Sequence, residues 1–203
     1  ATDIFHRLAD TPLVDKYAAY QALSDQWQAI ISDIETIQEE GMDAVRTVET
    51  AYKLVKTNDE DVEVPDGLKG RIIPFELVQQ VKFQTDLDAI TALQSRVEAI
   101  DGEVEEVRDS FTEEELEVYC DSEKENAPDK KKITADAKPK ADVEAETKAK
   151  LKQMVALWDE QSKANKQIKA DRLTLEEKTI QAIEHLTDEE IADFLHRKWI
   201  VPV

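Results

Sequence analysis

The residues that could do chemistry in this chain of 203 are few, and their spacing is poor. The three histidines are His6, His185 and His196. His185 and His196 fall on different expected helices and lack the i, i+4 pairing of helical zinc sites, so each reads as a surface or helix-end residue. Cys120 has no histidine beside it to take its proton, and a half-buried, unreactive thiol is the better reading. The glycines Gly41, Gly67, Gly70 and Gly102 build no dinucleotide or phosphate-cradling loop. Gly67-Leu68-Lys69-Gly70 has the spacing of a nucleotide-clamping loop, but Pro65 and Pro74 stand where flanking helices are needed, so it reads as a plain turn. Paired carboxylates on exposed helix faces are solvated charge rather than acid–base machinery. Trp27, Trp158 and Trp199 could stack on bases, yet all three lie on apolar stripes and are read as core residues. Lys130-Lys131-Lys132 is either a solvated loop or a phosphate contact. No catalytic, cofactor-binding or metal-ligating residue is assigned.

The stronger signal lies in the elements themselves. From Leu87 to Val107 the residues Ile90, Leu93, Val97, Ile100, Val104 and Val107 recur in steps of three and four, one narrow stripe on a charged helix. Such a helix needs a second one along its seam. The expected partner runs from near Asp142 to about Leu186, on the order of 65 Å at ~1.5 Å per residue. Its seam residues are Leu151, Met154, Trp158, Ile168, Leu175, Ile183 and Leu186, with polar Gln161, Asn165 and Arg172 in the same frame to fix register. The two are expected to pair antiparallel. The first should start at Pro74 as one helix through Leu77, Val78 and Val81, with a shift of stripe between Leu87 and Leu93.

Around this pair the chain divides into five stretches. Residues 1–73 form a small α+β portion. It has a lead-in over Leu8–Asp15 with Asp15 as cap, then a helix over Asp15–Glu39 carrying Tyr20, Leu23, Trp27, Ile30, Ile34 and Ile37, ended by Gly41. Met42 to Ile73 fits a short β-hairpin with turns at Asn58–Asp61 and Pro65–Gly67. A helical stripe through Met42, Val45, Val48, Tyr52 and Val55 competes with it. Residues 74–120 hold the first arm helix and a short helix capped by Thr112 and Glu115. Residues 121–141 are rich in Lys, Asp, Glu and Ala, with Ile133 as the one large apolar residue, and read as a flexible charged linker. Residues 142–186 form the second arm helix. Residues 187–203 form a short helix behind the capping box Thr187–Glu190, with Ile191, Phe194, Leu195 and Trp199. The fold class is thus mainly α: a long antiparallel coiled-coil helical arm with a small α+β N-terminal portion.

Composition narrows function by exclusion. The net charge of −20, from 46 Asp and Glu against 26 Lys and Arg, repels phosphate and disfavours wrapping of nucleic acid. One cysteine allows no internal disulfide and suits a reducing compartment, hence a cytoplasmic location. No apolar run approaches the roughly 20 residues of a membrane span, and the start Ala1-Thr2-Asp3 is no signal peptide. The missing initiator Met and the apolar end Trp199-Ile200-Val201-Pro202 suggest a piece of something longer.

Leu8-Ala-Asp-Thr-Pro-Leu-Val-Asp15, followed by Tyr17, Tyr20, Leu23 and Trp27, resembles the segment just beyond the catalytic domain of type I restriction-modification system modification subunits. Gly41 and Ile73-Pro74 fall where that family ends a helix and resumes after a variable meander. Leu186–Glu190 and Lys198-Trp199-Ile200 resemble its later motif. The resemblance implies a parent that transfers a methyl group from S-adenosylmethionine to the N6 of a flipped adenine. The family's signature of Asn or Asp, two prolines and an aromatic is absent, since no two prolines are adjacent here. This stretch would therefore be the C-terminal assembly part, inactive alone and without cofactor. Its implied partner is the DNA-specificity subunit, with a second modification subunit as a further candidate and DNA reached only through the complex. The partner-binding residues so implied are the seam residues Ile90, Leu93, Val97, Ile100, Val104, Leu151, Met154, Trp158, Ile168 and Leu175, together with Trp199. Two other readings stand beside it: a free-standing coiled-coil adaptor, and an acidic mimic of DNA, which the interleaved bases disfavour.

Overall fold

The computed structural model describes residues 16–57, 60–121 and 127–201. The Leu8–Asp15 lead-in with its Asp15 cap, the side chains of Tyr20 and Leu23, and the Asn58-Asp59 turn lie outside the described residues. The protein is mainly helical with a small two-stranded antiparallel hairpin. It forms two compact units, one of Ala1–Gln84 with Leu175–Val203, the other of Thr85–Thr174. The expected five consecutive stretches are thereby regrouped, because residues from Ala44 to Val78 share one core with residues from Ile183 to Phe194.

In the first unit α1 spans Lys16–Glu40, and Gly41 ends it at φ 82°. A 3-10 helix, Met42–Arg46, buries Ala44 and Val45. Strands β1, Val48–Thr57, and β2, Glu60–Gly70, then pair antiparallel, which decides for the hairpin over the helical stripe. Pro65–Gly67 is not the expected turn. It lies inside β2, where Asp66 and Gly67 face Ala51 in a register break, and Gly67 takes φ 90°. Two residues opposing one is a β-bulge, and a glycine supplies the positive φ such a bulge needs. The helix after Pro74 is also shorter than expected. α2 is Phe75–Lys82, and Phe83 breaks it before the next helix begins at Gln84.

The core of this unit joins Val45, Ile72, Ile73 and Val78 to Ile183, Ile191 and Phe194 from the end of the chain. Helix α7, Asp188–Trp199, starts at a full capping box. The Glu190 N–H donates to Thr187 Oγ1 at 3.3 Å, and the Thr187 N–H donates to Glu190 Oε2 at 2.9 Å. Its first turn is acidic and its last basic, both favourable to the helix dipole. Burial of Phe194 and Ile191 contributes ~1.5–3 kcal/mol each by apolar transfer. Polar ties back this up: Arg46 Nε donates to the Leu186 carbonyl at 2.8 Å and Arg46 Nη2 to Asp188 at 2.6 Å.

In the second unit α3 spans Gln84–Asp109, α4 Glu113–Tyr119 and α5 Lys130–Asp136. The two-residue strands β3, Cys120–Asp121, and β4, Ala127–Pro128, pair between them. Helix α6, Ala145–Glu184, gives residues 145–174 to this unit and 175–184 to the first. The core collects Ile100, Val107, Phe111, Tyr119, Ile133, Leu151, Met154 and Leu157. Here the expected flexible linker 121–141 is overturned for its described residues. Asp129 caps α5 by accepting from the Lys131 and Lys132 N–H groups, and Ile133 is fully buried.

Candidate interaction surfaces

The seam residues divide by depth. Ile90, Ile100, Leu151, Met154, Ile168 and Leu175 are buried within the chain, while Leu93, Val97, Val104, Trp158 and Trp199 are half-buried. A side chain already buried at home has nothing left to offer a partner while this fold holds, so the first six leave the list of contact residues. Val104 packs onto the core that holds Leu151 and Met154. Flanking polar groups tie α3 to α6: Arg96 Nε donates to Glu160 at 2.7 Å and also pairs with Glu103, and Gln161 donates to Asp101 at 2.5 Å. Hydrogen bonding to Glu160, then Glu103, holds the Arg96 guanidinium protonated far above any ordinary pH, and Arg96 in turn lowers the Glu160 carboxyl. At the other end Lys150 donates to the Ser110 carbonyl and to Glu115, both at 2.9 Å. Burial works against ionisation of Glu115, but the Thr112 N–H, Thr147 and Lys150 together bring its pKa below the usual range.

Of the polar middle expected of α6, Gln161 is half-buried and bonds to Asp101, whereas Asn165 and Arg172 are exposed; Leu157, Ala164 and Thr179 are buried in addition to the expected Ile168 and Leu175. Thr179 is the polar residue sealed in the core; its hydroxyl donates to the Leu175 carbonyl at 2.6 Å and accepts from Gln79 at 3.3 Å. Alanine and threonine at helical spacing were the available signal, and both are weakly apolar.

Trp158 stands at an open cleft of about 510 Å³ with Val104, Pro128, Arg108, Asp101 and Glu105. The Lys130 ammonium lies 5.1 Å from the centre of its ring, and that of Lys132 lies 5.9 Å from the ring of Tyr119. These two members of the tribasic run therefore cover aromatic faces. Trp199 is a tie rather than a free platform. Its Nε1–H donates to Asp33 at 2.8 Å, beside Lys198, which donates to Asp33 at 2.5 Å and to the Ile72 carbonyl at 2.6 Å. Trp27, expected in the core, is 61% exposed.

Sequence reasoning missed one surface dense in uncovered apolar side chains. On the hairpin Tyr52, Leu54, Val55, Val62 and Leu68 are all exposed. Strand alternation was visible in β1, but which face would find a cover was not. Among the described residues no group of three or more His, Cys, Asp or Glu is placed to hold a metal ion, and no helix is long and apolar enough to cross a membrane. No family model, no curated protein and no solved structure matches the chain.

Proposed function

We propose that the chain is the C-terminal assembly region of a type I restriction-modification modification subunit, with α3 and α6 as a long antiparallel coiled-coil arm that carries the DNA-specificity subunit. The observation that carries this reading is the pairing of α3 with α6. Ile100 and Val107 meet Leu151, Met154 and Leu157 in one core, and Arg96–Glu160 and Ser110–Lys150 tie the two in antiparallel sense. A closed seam makes a stiff support and leaves docking to outward residues such as Leu173, 55% exposed on α6. The motifs around Pro12, Thr187–Glu190 and Trp199 supply the family side of the reading.

In this reading methyl transfer and S-adenosylmethionine binding belong to the catalytic domain of the parent. Co-expression with the specificity subunit of the same operon is expected to give a stable complex that survives gel filtration. Failure of both this chain and its parent subunit to form that complex would overturn the assignment. Sequence encoded upstream of Ala1 gives an independent test. An Asn-Pro-Pro-aromatic motif there supports it, whereas its absence favours a free-standing coiled-coil adaptor.

A further inference from the structure

A hairpin of two strands leaves both outer edges of its sheet open to further pairing. The two edges are not alike. On β2, Pro65 has no N–H to donate, and the bulge at Asp66 and Gly67 interrupts the ladder beside it. Both devices guard an edge. β1 carries neither. Val48–Thr57 has no proline or glycine, and among the described residues its backbone pairs with β2 alone. Thr50, Tyr52, Lys53, Leu54, Val55 and Lys56 are exposed along it, Tyr52 at 61% and Leu54 at 66%. A two-stranded ribbon is marginally stable by itself, and further strands with an apolar face steady it.

The charges on β1 say which strand fits. A strand that pairs with its own copy about a two-fold axis normal to the sheet keeps every side chain on its face. Directly opposed residues must then share a face, so the axis passes beside one residue. Glu49 is the one acid of β1, and of the two lysines only Lys53 lies on its face. The axis that opposes them runs beside Ala51, and it makes the contact twice, Glu49 of each copy against Lys53 of the other. Every other axis on β1 opposes no acid to a base, and one beside Lys53 sets that lysine against itself. In the Ala51 register Thr50 meets Tyr52 and Val48 meets Leu54, on the face where Val48 already packs against the core of the first unit. Lys56 runs past the end of the opposing strand. Glu49 is tied to Lys69 at 3.2 Å and Lys53 to Asp66 at 2.7 Å. The paired sheet therefore carries a row of alternating sign, Lys69 and Glu49 of one copy, then Lys53 and Asp66 of the other. Opposite charges across strands are stabilising.

We propose that β1 is an association edge for a second copy of this chain, paired antiparallel about Ala51 into one sheet in the order β2–β1–β1–β2. The contact is isologous, so it closes at two copies, and the strands left outermost are the guarded β2 edges. This stands on the strand alone and does not depend on the assembly reading above.

Sedimentation equilibrium on the full chain is expected to show a dimer; a monomer at concentrations up to about 0.1 mM overturns the proposal. Glu49→Lys and Lys53→Glu, each alone, set like charges across the axis and are expected to weaken self-association at least tenfold. Mixed in equal amounts, the two variants oppose unlike charges at both contacts, and a heterodimer as tight as the original dimer is expected. Each variant has the same fold alone and mixed, so the gain on mixing reads the contact between copies. A mixture no more dimeric than its parts overturns the proposal, as does a dimer indifferent to both single changes. Ala51→Cys locates the axis. Opposed Cα atoms in an antiparallel pair lie about 4.5–5.5 Å apart, within the reach of a disulfide. Mild oxidation is expected to link this variant into a covalent dimer and to leave the unaltered chain, whose one thiol is the buried Cys120, unlinked. An Ala51→Cys dimer that stays unlinked sets the contact elsewhere and overturns the proposal.

Discussion

Glu190 shows how much a single side chain can carry. It accepts from the Lys82 ammonium at 2.6 Å while closing the capping box with Thr187. Lys82, then the Thr187 N–H, hold its carboxyl at about 2, down from 4.5. A depressed carboxyl contributes stability that is in full force above its unfolded value and is lost as pH falls through its folded one. The tie of α2 to α7 is therefore expected to weaken between pH about 4.5 and about 2, and a carboxyl-carbon NMR titration should place the Glu190 midpoint near the lower end. Lys82→Ala should move that midpoint upward; a midpoint near 4.5 in the unaltered protein would contradict the arrangement. Gly70 offers a steric counterpart. A Cβ there would run into the Ile73 carbonyl and come within 3.2 Å of Ile183 Cδ1. Gly70→Ala is expected to destabilise by about 1–3 kcal/mol, the range of overpacked cores, measured by urea unfolding.

Among the elements, α3 and α5 make opposite demands on sequence reasoning. Ile100 is fully buried on α3, so Ile100→Asp should unfold the second unit, whereas Glu105→Lys, on the exposed face, should change melting by less than a degree or two. Ile133→Ala is expected to cost about 2–5 kcal/mol although only one apolar residue is truncated. The stripe on α3 was legible because six apolar residues repeat at helical spacing. So were the Thr112 and Thr187 caps, which need only two residues at fixed distance. The order of 127–137 was not legible, because composition averages over a segment and its anchor is one side chain. Ile133 fills the core while the Lys130 and Lys132 ammonium groups lie over the Trp158 and Tyr119 rings. Trp27 failed in the other direction: periodicity names the face to be covered, but nothing local says whether a cover exists. On α6 the expected seam residues Leu151, Met154, Ile168 and Leu175 are buried, and only at Trp158 does the inward position pass to its neighbour Leu157. The candidate contact surface was read one layer too deep. Seam residues are conspicuous in sequence, but they are the ones that folding consumes.

At the scale of the whole molecule, charge dominates. An excess of acids by 20 loads the folded state with self-repulsion, while named pairs such as Arg96–Glu160 and Arg46–Asp188 are partly exposed and individually weak. Raising salt from ~0.1 M to ~1 M shortens the screening length from about 10 Å to about 3 Å and weakens both. Because the repulsion is summed over every acid and the attractions over a few pairs, the midpoint of thermal unfolding is expected to rise with salt. A fall measured by calorimetry would mean that the ion pairs outweigh the net charge.

Cys120 gives the second unit a built-in reporter. The thiol is buried there, burial raises its pKa, and the chain has no other. A maleimide or disulfide dye reaches it when that core opens, so the labelling rate at fixed pH reports opening of the second unit around Cys120. A partner that holds α3 against α6 would close that core more tightly and slow the dye.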